Sequence, residues 1–373
     1  MKENGVFREF MGEYSKFISP VRRSVPTPAN LVEDGKCVFG TFDKEFESME
    51  FLKIKNPTEA PDFLNPVRLT LWEATEVHLK EGYMLTAVCN MGLFGVALTL
   101  FYDYRVRKLY RWQETLLARE AVIAPNLING SVTKAERKKF RIHYINNFQD
   151  GKANVEGFFE GKDGTIDYNF DLTRISKPSV VSIPFAEMNE RHRPLYTQKD
   201  FFKAEGYVTV NGKIYETIET STAIIDDHRG YYPREMHYDW ATFMGYLNVD
   251  GKDIALALNL TENQSINQED YNENLIWFDK DVSLLPPIKF TKDKPTIEFD
   301  GHARWHIQDE HDMVNIDFDV YQVFDMITHA LPVINIEYFI VFGEFNGYVR
   351  DENGKKYIFD HTPAMGEDKS VIF

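Results

Sequence analysis

Cysteine is nearly absent from this chain. Cys37 and Cys89 are the only two in 373 residues, too few for a disulfide scaffold and in no spacing that holds zinc, so a reducing compartment is expected. Long apolar runs are missing as well. Nothing approaches the roughly 18 apolar residues of a membrane span, and the opening Met1-Lys2-Glu3-Asn4-Gly5 lacks the apolar stretch of a secretion signal. The sequence therefore reads as cytoplasmic with no integral membrane segment. Positive charge is in deficit, 42 Lys and Arg against 58 Asp and Glu for a net −16. That balance repels phosphate backbones, and the one basic cluster, Arg137-Lys138-Lys139, is short enough to be a solvated strand end, so nucleic acid is not an expected partner. The chain also lacks a nucleophile elbow, a phosphate-cradling glycine loop and a dinucleotide fingerprint, and no cofactor and no metal are expected. The composition leaves the oligomeric state open.

Aromatic residues, at 14%, are abundant, and they favour strands and line ligand cavities. Turn dipeptides are frequent too: Asp150-Gly151, Asp163-Gly164, Asn211-Gly212, Asp250-Gly251 and Asn353-Gly354 each separate segments of alternating polarity, the mark of tight hairpins. Ile166, Tyr168, Phe170 and Leu172 alternate with Asp167, Asn169, Asp171 and Thr173, and Val314 to Val320 and Ile254 to Leu260 repeat the pattern. Helical periodicity is confined to Trp112–Ala121 and Phe185–His192, each short enough to be an irregular connector. The fold class expected is all-β, an antiparallel meander closed into two tandem lipocalin-like (calycin) barrels, since 373 residues exceed one core. Alternation lapses near residues 184–206, where Pro184 and Pro194 flank a charged stretch, and resumes at Tyr207. This places an N-terminal extension at 1–35, a first barrel at 36–195 and a second at 196–373.

Charge and aromatic density peak together in Asp226-Asp227-His228-Arg229-Gly230-Tyr231-Tyr232-Pro233-Arg234, read as a loop at a barrel mouth, and in the strand that follows. There Glu235, His237 and Asp239 share one face, and Met236, Tyr238 and Trp240 the other. An inward carboxylate face makes Asp239, beside His237, a candidate proton donor raised by desolvation. An inward aromatic face instead makes Tyr238 and Trp240 a wall for a conjugated ligand and a stabiliser of developing positive charge. The pattern does not choose between them. Tyr231, Tyr232, Arg229 and Arg234 are candidate substrate contacts at the mouth, or else lid packing and ion pairs with Asp226 and Asp227. Glu73 lies on an otherwise apolar face with Leu69, Leu71, Val77 and Leu79, where a carboxylate is either functional or paired with an arginine such as Arg68 or Arg111. Trp72 is its neighbour, and Asn259 follows the hairpin after Trp240, able to bind ligand or cap a turn. His302 and His306 invite a metal, but on a strand rising about 3.3 Å per residue they diverge.

Phe39-Gly40-Thr41-Phe42, Arg68-Leu69-Thr70-Leu71-Trp72-Glu73, Arg229 to Arg234 with Asp239-Trp240-Ala241, and Phe342-Gly343-Glu344-Phe345-Asn346-Gly347 together resemble an uncharacterised, mainly bacterial lipocalin-like family. That family is distantly similar to the double-calycin group of carotenoid hydratases, fungal Diels–Alderases and tocopherol cyclases. The resemblance implies two calycin barrels and acid-catalysed chemistry on polyene or isoprenoid substrates without redox cofactors, with Asp239 beside Trp240 as the matched acid. The expected partner is thus a hydrophobic small molecule. The activity expected is hydration, isomerisation or cyclisation of an unsaturated lipid or isoprenoid, with Asp239 or Glu73 giving the proton. A non-catalytic lipid carrier is the main rival, and a carbohydrate-active β protein using Asp239 and Glu262 is a third class.

Overall fold

The computed structural model describes residues 2–3, 6–11, 14–19, 21–188, 191–262, 265–330 and 334–372. It is all-β, and its strands gather into two curled antiparallel sheets, each the wall of a barrel. One compact unit spans Ser24–Tyr232; the other joins Met1–Arg23 to Pro233–Phe373.

In the first unit ten strands of a fourteen-stranded sheet run in the order Lys108–Leu117, Phe94–Asp103, Gly82–Asn90, Thr70–Leu79, Thr222–Gly230, Arg191–Val210, Gly164–Arg174, Lys152–Gly161, Phe140–Asn147, Ser131–Arg137, and the other four branch from Arg191–Val210: Lys213–Glu216 directly, and Ser179–Met188 followed by Gly40–Phe42 and Ser24–Val25. The alternation seen in the sequence becomes the barrel's inner face. Ile166, Tyr168, Phe170 and Leu172 are buried in one core with Val77, Leu79, Met84, Phe101, Phe202 and Ala223, each large side chain contributing about 1.5–3 kcal/mol by leaving water. In the second unit nine strands are ordered Asp281–Leu284, Leu275–Phe278, Lys252–Glu262, Glu235–Val249, Lys356–Ile372, Ile334–Arg350, Val314–Ala330, Ala303–Gln308, Lys289–Lys292. Its core gathers Ala241, Phe243, Leu256, Leu258, Trp305, Phe318 and Phe345.

All five turn dipeptides sit between consecutive paired strands. Asn211-Gly212 and Asp250-Gly251 carry positive φ at both positions, 51° and 81°, then 54° and 80°, the backbone that tight hairpins demand. Neither helical expectation is met. Trp112 lies in the Lys108–Leu117 strand, which ends in a short 3-10 turn, Ala118–Glu120, because Trp112 and Leu116 alternate into the core. Phe185 lies in the Ser179–Met188 strand and His192 in Arg191–Val210, while Asn189 and Glu190 fall outside the described residues.

The units divide after Tyr232 and not at 195/196, because the Arg191–Val210 strand runs unbroken through that position. Nor is 1–35 one extension. The buried Arg22 guanidinium donates to the carbonyls of Asn272, Asn274 and Leu285, which ties Met1–Arg23 to the second unit. Among the described residues no helix is long and apolar enough to cross a membrane.

Gly343 shows why glycine stands in the Phe342–Gly347 motif. A Cβ there would lie 1.8 Å from the Asp319 carbonyl oxygen, across from a register shift between Val320 and Gln322. Gly343→Ala is expected to cost about 1–3 kcal/mol, as overpacking does, read as a lower urea midpoint at unchanged slope.

Candidate functional site

Of the segment with the densest charge, Asp226 to Gly230 belongs to a strand, Thr222–Gly230, and not to a loop, whereas 231–234 is irregular. The strand is held between two partners. Asp226, Asp227 and His228 pair with Lys199, Gln198 and Thr197 on one side and with Ala74, Glu73 and Trp72 on the other. Since Ala223 and Ile225 point into the core, the pleat sends Asp227 and Arg229 inward and Asp226 and His228 outward. One strand therefore feeds two polar clusters on opposite faces of the barrel wall.

The inner cluster is closed. Arg229 grips Asp227 through two 2.9 Å hydrogen bonds and donates to the carbonyls of Ala124 at 2.7 Å and Pro125 at 3.3 Å. Directly opposite Asp227 stands Glu73, fully buried, accepting from the Asn146 amide at 2.9 Å through Oε1 while Oε2 has no hydrogen-bond partner. Burial, then the Asp227 charge, pushes the Glu73 carboxyl up to about 7, against the pull of Thr133, Asn146 and Arg229. Arg68 and Arg111 are thus not the partners that Glu73 uses. Further along the lumen Tyr196 donates to Gln198 at 2.6 Å and Gln198 to Asp200 at 2.7 Å, and Asp200 pairs with Arg174 at 2.7 Å.

The outer cluster mixes buried charge with half-buried aromatic surface. Lys199 is 2% exposed. Its Nζ stands 3.1 Å from His228 Nε2, 3.4 Å from Asp226 Oδ1 and 3.0 Å from Thr197 Oγ1. His228 Nε2 also faces Asp226 Oδ1 at 3.2 Å, and its Nδ1 faces the Tyr232 hydroxyl at 3.5 Å. Trp72 lies flat on the imidazole, centroids 4.4 Å apart and planes 10° apart, and stacks on Tyr232 at 5.8 Å. Burial alone would push the Asp226 carboxyl up, but His228 and Lys199 outweigh it and hold the group below its ordinary value. An imidazole with both nitrogens positioned and one face on an indole is equipped to pass a proton.

Trp72 and Tyr232, expected as substrate contacts, thus come together, with His228, Asp226 and Lys199 added. His228 and Asp226 lay in the segment that stood out in the sequence. Lys199 carries no local signal, since only the pairing of Lys199 with Asp226 brings it there. Tyr231 is buried instead, its hydroxyl donating to the Phe51 carbonyl at 3.1 Å. Arg229 belongs to the inner cluster, and Arg234 is exposed.

The other candidates lie in the second unit. Asp239 and His237 share the core-side face of the Glu235–Val249 strand with Ala241 and Phe243, so Tyr238 and Trp240 take the opposite face. That settles the orientation the sequence left open: the carboxylates look inward and the aromatic residues do not. Trp240 donates to Asn259 at 2.7 Å, Asn259 to the Glu273 carbonyl at 2.8 Å, and Tyr238 to Glu367 at 2.8 Å. Asp239 is in an ion pair with Lys292 at 2.5 Å, and its strand partner Glu262 accepts from the Phe290 backbone at 2.8 Å. His302 meets Asp319 at 3.2 Å and His306 meets Asp317 at 2.8 Å.

A family profile described as a domain of unknown function (DUF2804) matches residues 22–372. Similar solved structures include kievitone hydratase from Nectria haematococca, 10% identical over 83% of this chain and 90% of that one with a TM-score of 0.47. Another is CghA with Sch210972, 9% identical over 82% and 88% with a TM-score of 0.41. No curated protein matches.

Proposed function

The chain belongs to the DUF2804 family, and for this member we propose acid–base catalysis on a hydrophobic unsaturated small molecule, a lipid or isoprenoid, leading to hydration, isomerisation or cyclisation. The observation that carries this reading is the imidazole of His228, fixed at Nε2 by Lys199 and Asp226, faced at Nδ1 by Tyr232, and stacked on Trp72. His228 transfers the proton, and Asp226 with Lys199 sets the ring's orientation. Trp72 and Tyr232, both half-buried, offer the apolar wall along which an alkene lies and on which positive charge is stabilised. In hydration the proton goes to one alkene carbon, water adds to the other, and the surplus proton of that water returns to the imidazole. In isomerisation the proton given to one alkene carbon is matched by one removed from the carbon on the far side of the cationic centre, which shifts the double bond.

Glu73 and Asp239 were the acids expected from sequence, and the geometry favours neither. Glu73 is sealed on the lumen side and Asp239 is engaged by Lys292. The test is incubation with a total lipid extract of bacterial cells, followed by native mass spectrometry and solvent extraction. The expected product is a component that gains the mass of one water or changes retention at constant mass, with His228→Gln slowing its appearance about 10²–10⁴-fold. A bound lipid returned unchanged by the unaltered protein would make it a carrier, and full turnover in both His228→Gln and Lys199→Met would remove the site.

A further inference from the structure

Two arginines stand at the rim of the outer cluster. Gly230 pairs with Thr70 on one side and with Leu195 on the other. Arg68 and Arg193 each come two residues before those partners, so both chains bring a guanidinium to the level of Tyr232. Arg193 shares the outward face of Thr197 and Lys199 in its strand and is 9% exposed. Its Nη1 donates to the Tyr232 carbonyl at 2.9 Å and its Nη2 to the Glu59 carboxylate. Arg68, the last residue of the short helical turn Asn65–Arg68, is exposed and makes no hydrogen bond or ion pair among the described residues.

The two guanidiniums thus have one carboxylate between them, and the Glu59 side chain that supplies it is 61% exposed. Burial lowers the Arg193 guanidinium from its ordinary value, Glu59 opposes that, and the like charge of Arg68 adds to it. Two cations and one anion leave a local charge of +1 in a chain of net −16. An incoming anion relieves that excess, and a carboxylate matches the planar fork of a guanidinium with paired hydrogen bonds.

Tyr232 joins this rim to the imidazole. Its carbonyl takes Arg193, and its hydroxyl faces His228 Nδ1 at 3.5 Å. Its ring stacks on Trp72 at 5.8 Å and meets Phe185 edge-on at 5.4 Å. Arg193 lies four residues before Thr197, the partner of His228, a span of roughly 13 Å along the strand. An extended hydrocarbon chain advances about 1.25 Å per carbon, from bonds of about 1.5 Å at near-tetrahedral angles. It covers the distance in about ten carbons.

Resting on the acid–base reading of His228, we propose that the substrate is a long-chain unsaturated carboxylic acid. Arg68 and Arg193 hold its carboxylate, and Trp72 and Tyr232, backed by Phe185, line its chain. Its double bond meets His228 roughly nine to eleven carbons from the carboxyl. Glu59 occupies the cradle with a carboxylate of the protein's own and gives way to the substrate's.

The experiment measures binding and turnover of oleic acid, its methyl ester, oleyl phosphate and the cis-6 isomer of the acid by the full-length protein. Oleic acid is expected to bind at least about tenfold more tightly than the ester, the scale of one charge-assisted contact. It should also be converted at least about tenfold faster than the cis-6 acid. Arg68→Gln, at an exposed position, should bring the acid-to-ester ratio close to one. Glu59→Gln, which removes the competing carboxylate, should tighten the acid about threefold or more. His228→Gln should keep the preference for the acid while slowing turnover, which separates the head-group contact from the catalyst. Equal binding of acid and ester, or an acid preference that survives Arg68→Gln in a protein of unchanged melting temperature, would overturn the assignment even if other lipids are converted. A tighter hold on oleyl phosphate would give the cradle to phosphate instead, and equal turnover of the cis-6 acid would refute the spacing. An Arg68-dependent acid preference without turnover would uphold the carboxylate cradle and remove the acid–base reading.

Discussion

Glu73→Gln is expected to stabilise the protein at pH 8 by up to about 3 kcal/mol and to leave it almost unchanged below pH 4.5. The Glu73 carboxyl is pushed up to about 7 from an ordinary 4.5, chiefly by burial and next by Asp227 across the register. Between those two values the folded protein keeps a proton that the unfolded chain has released. Stability therefore falls as pH rises through that window, by about 1.4 kcal/mol per unit for one proton, and levels off above pH 7. Glutamine is neutral at every pH, keeps an oxygen for the Asn146 amide, and places an amide donor where Oε2 now has no partner. Urea unfolding at pH 5, 6, 7 and 8 measures the effect. The wild-type slope also contains Asp200, raised in the same direction by burial, so the quantity to follow is the difference between the two proteins. A difference that does not grow between pH 5 and pH 7 would show that Glu73 ionises as an ordinary carboxylate and that the inner cluster is wetter than its burial indicates.

Much of the barrel architecture was legible in the sequence because period-two alternation and turn dipeptides are local signals. Ile166 to Leu172 point inward as their spacing requires, and Asn211-Gly212 and Asp250-Gly251 turn as their φ angles require. Family membership was legible through motifs such as Phe342–Gly347, where Gly343 is fixed by a close backbone approach. The division between the units was not, since a long strand that serves two partners looks like a lapse in alternation when only one of its faces is counted. Asp226–Gly230 was misread as a loop for a related reason: charges on both faces hide the pleat, although Asp227 and Arg229 neutralise each other inside and Asp226 meets Lys199 outside. Trp72 and Tyr232 were visible as aromatic residues in unusual company. What linked them was His228 against Thr197 and Asp226 against Lys199 in register, a non-local fact that no window of sequence contains.

Arg229→Met should be the most destabilising substitution in the wall that carries the site, costing about 3–5 kcal/mol at pH 8, the range for stripping one partner from a buried ion pair. Methionine fills much of the volume but returns none of the four hydrogen bonds. Asp227 is left without its cation, and the carbonyls of Ala124 and Pro125 lose their donor. The loss is compounded by Glu73, which faces Asp227 directly: with the guanidinium gone, two carboxyls share the lumen with no positive charge between them. Relief comes from protonation, since burial already pushes Asp227 up even with Arg229 in place. The defect should accordingly shrink as pH falls from 8 to 5, and Asp227→Asn combined with Arg229→Met should cost clearly less than the two single changes added together. Additive costs, or an Arg229→Met protein within about 1 kcal/mol of wild type at pH 8, below the range for a broken buried pair, would mean that the pair is solvated. Turnover separates the two faces of the strand. A compensated Asp227→Asn/Arg229→Met protein that folds should still present Asp226 and His228 outward and keep its activity, because neither altered side chain touches the outer cluster. If that folded double variant is inactive, proton transfer draws on the lumen as well, and Glu73 rejoins the catalytic machinery.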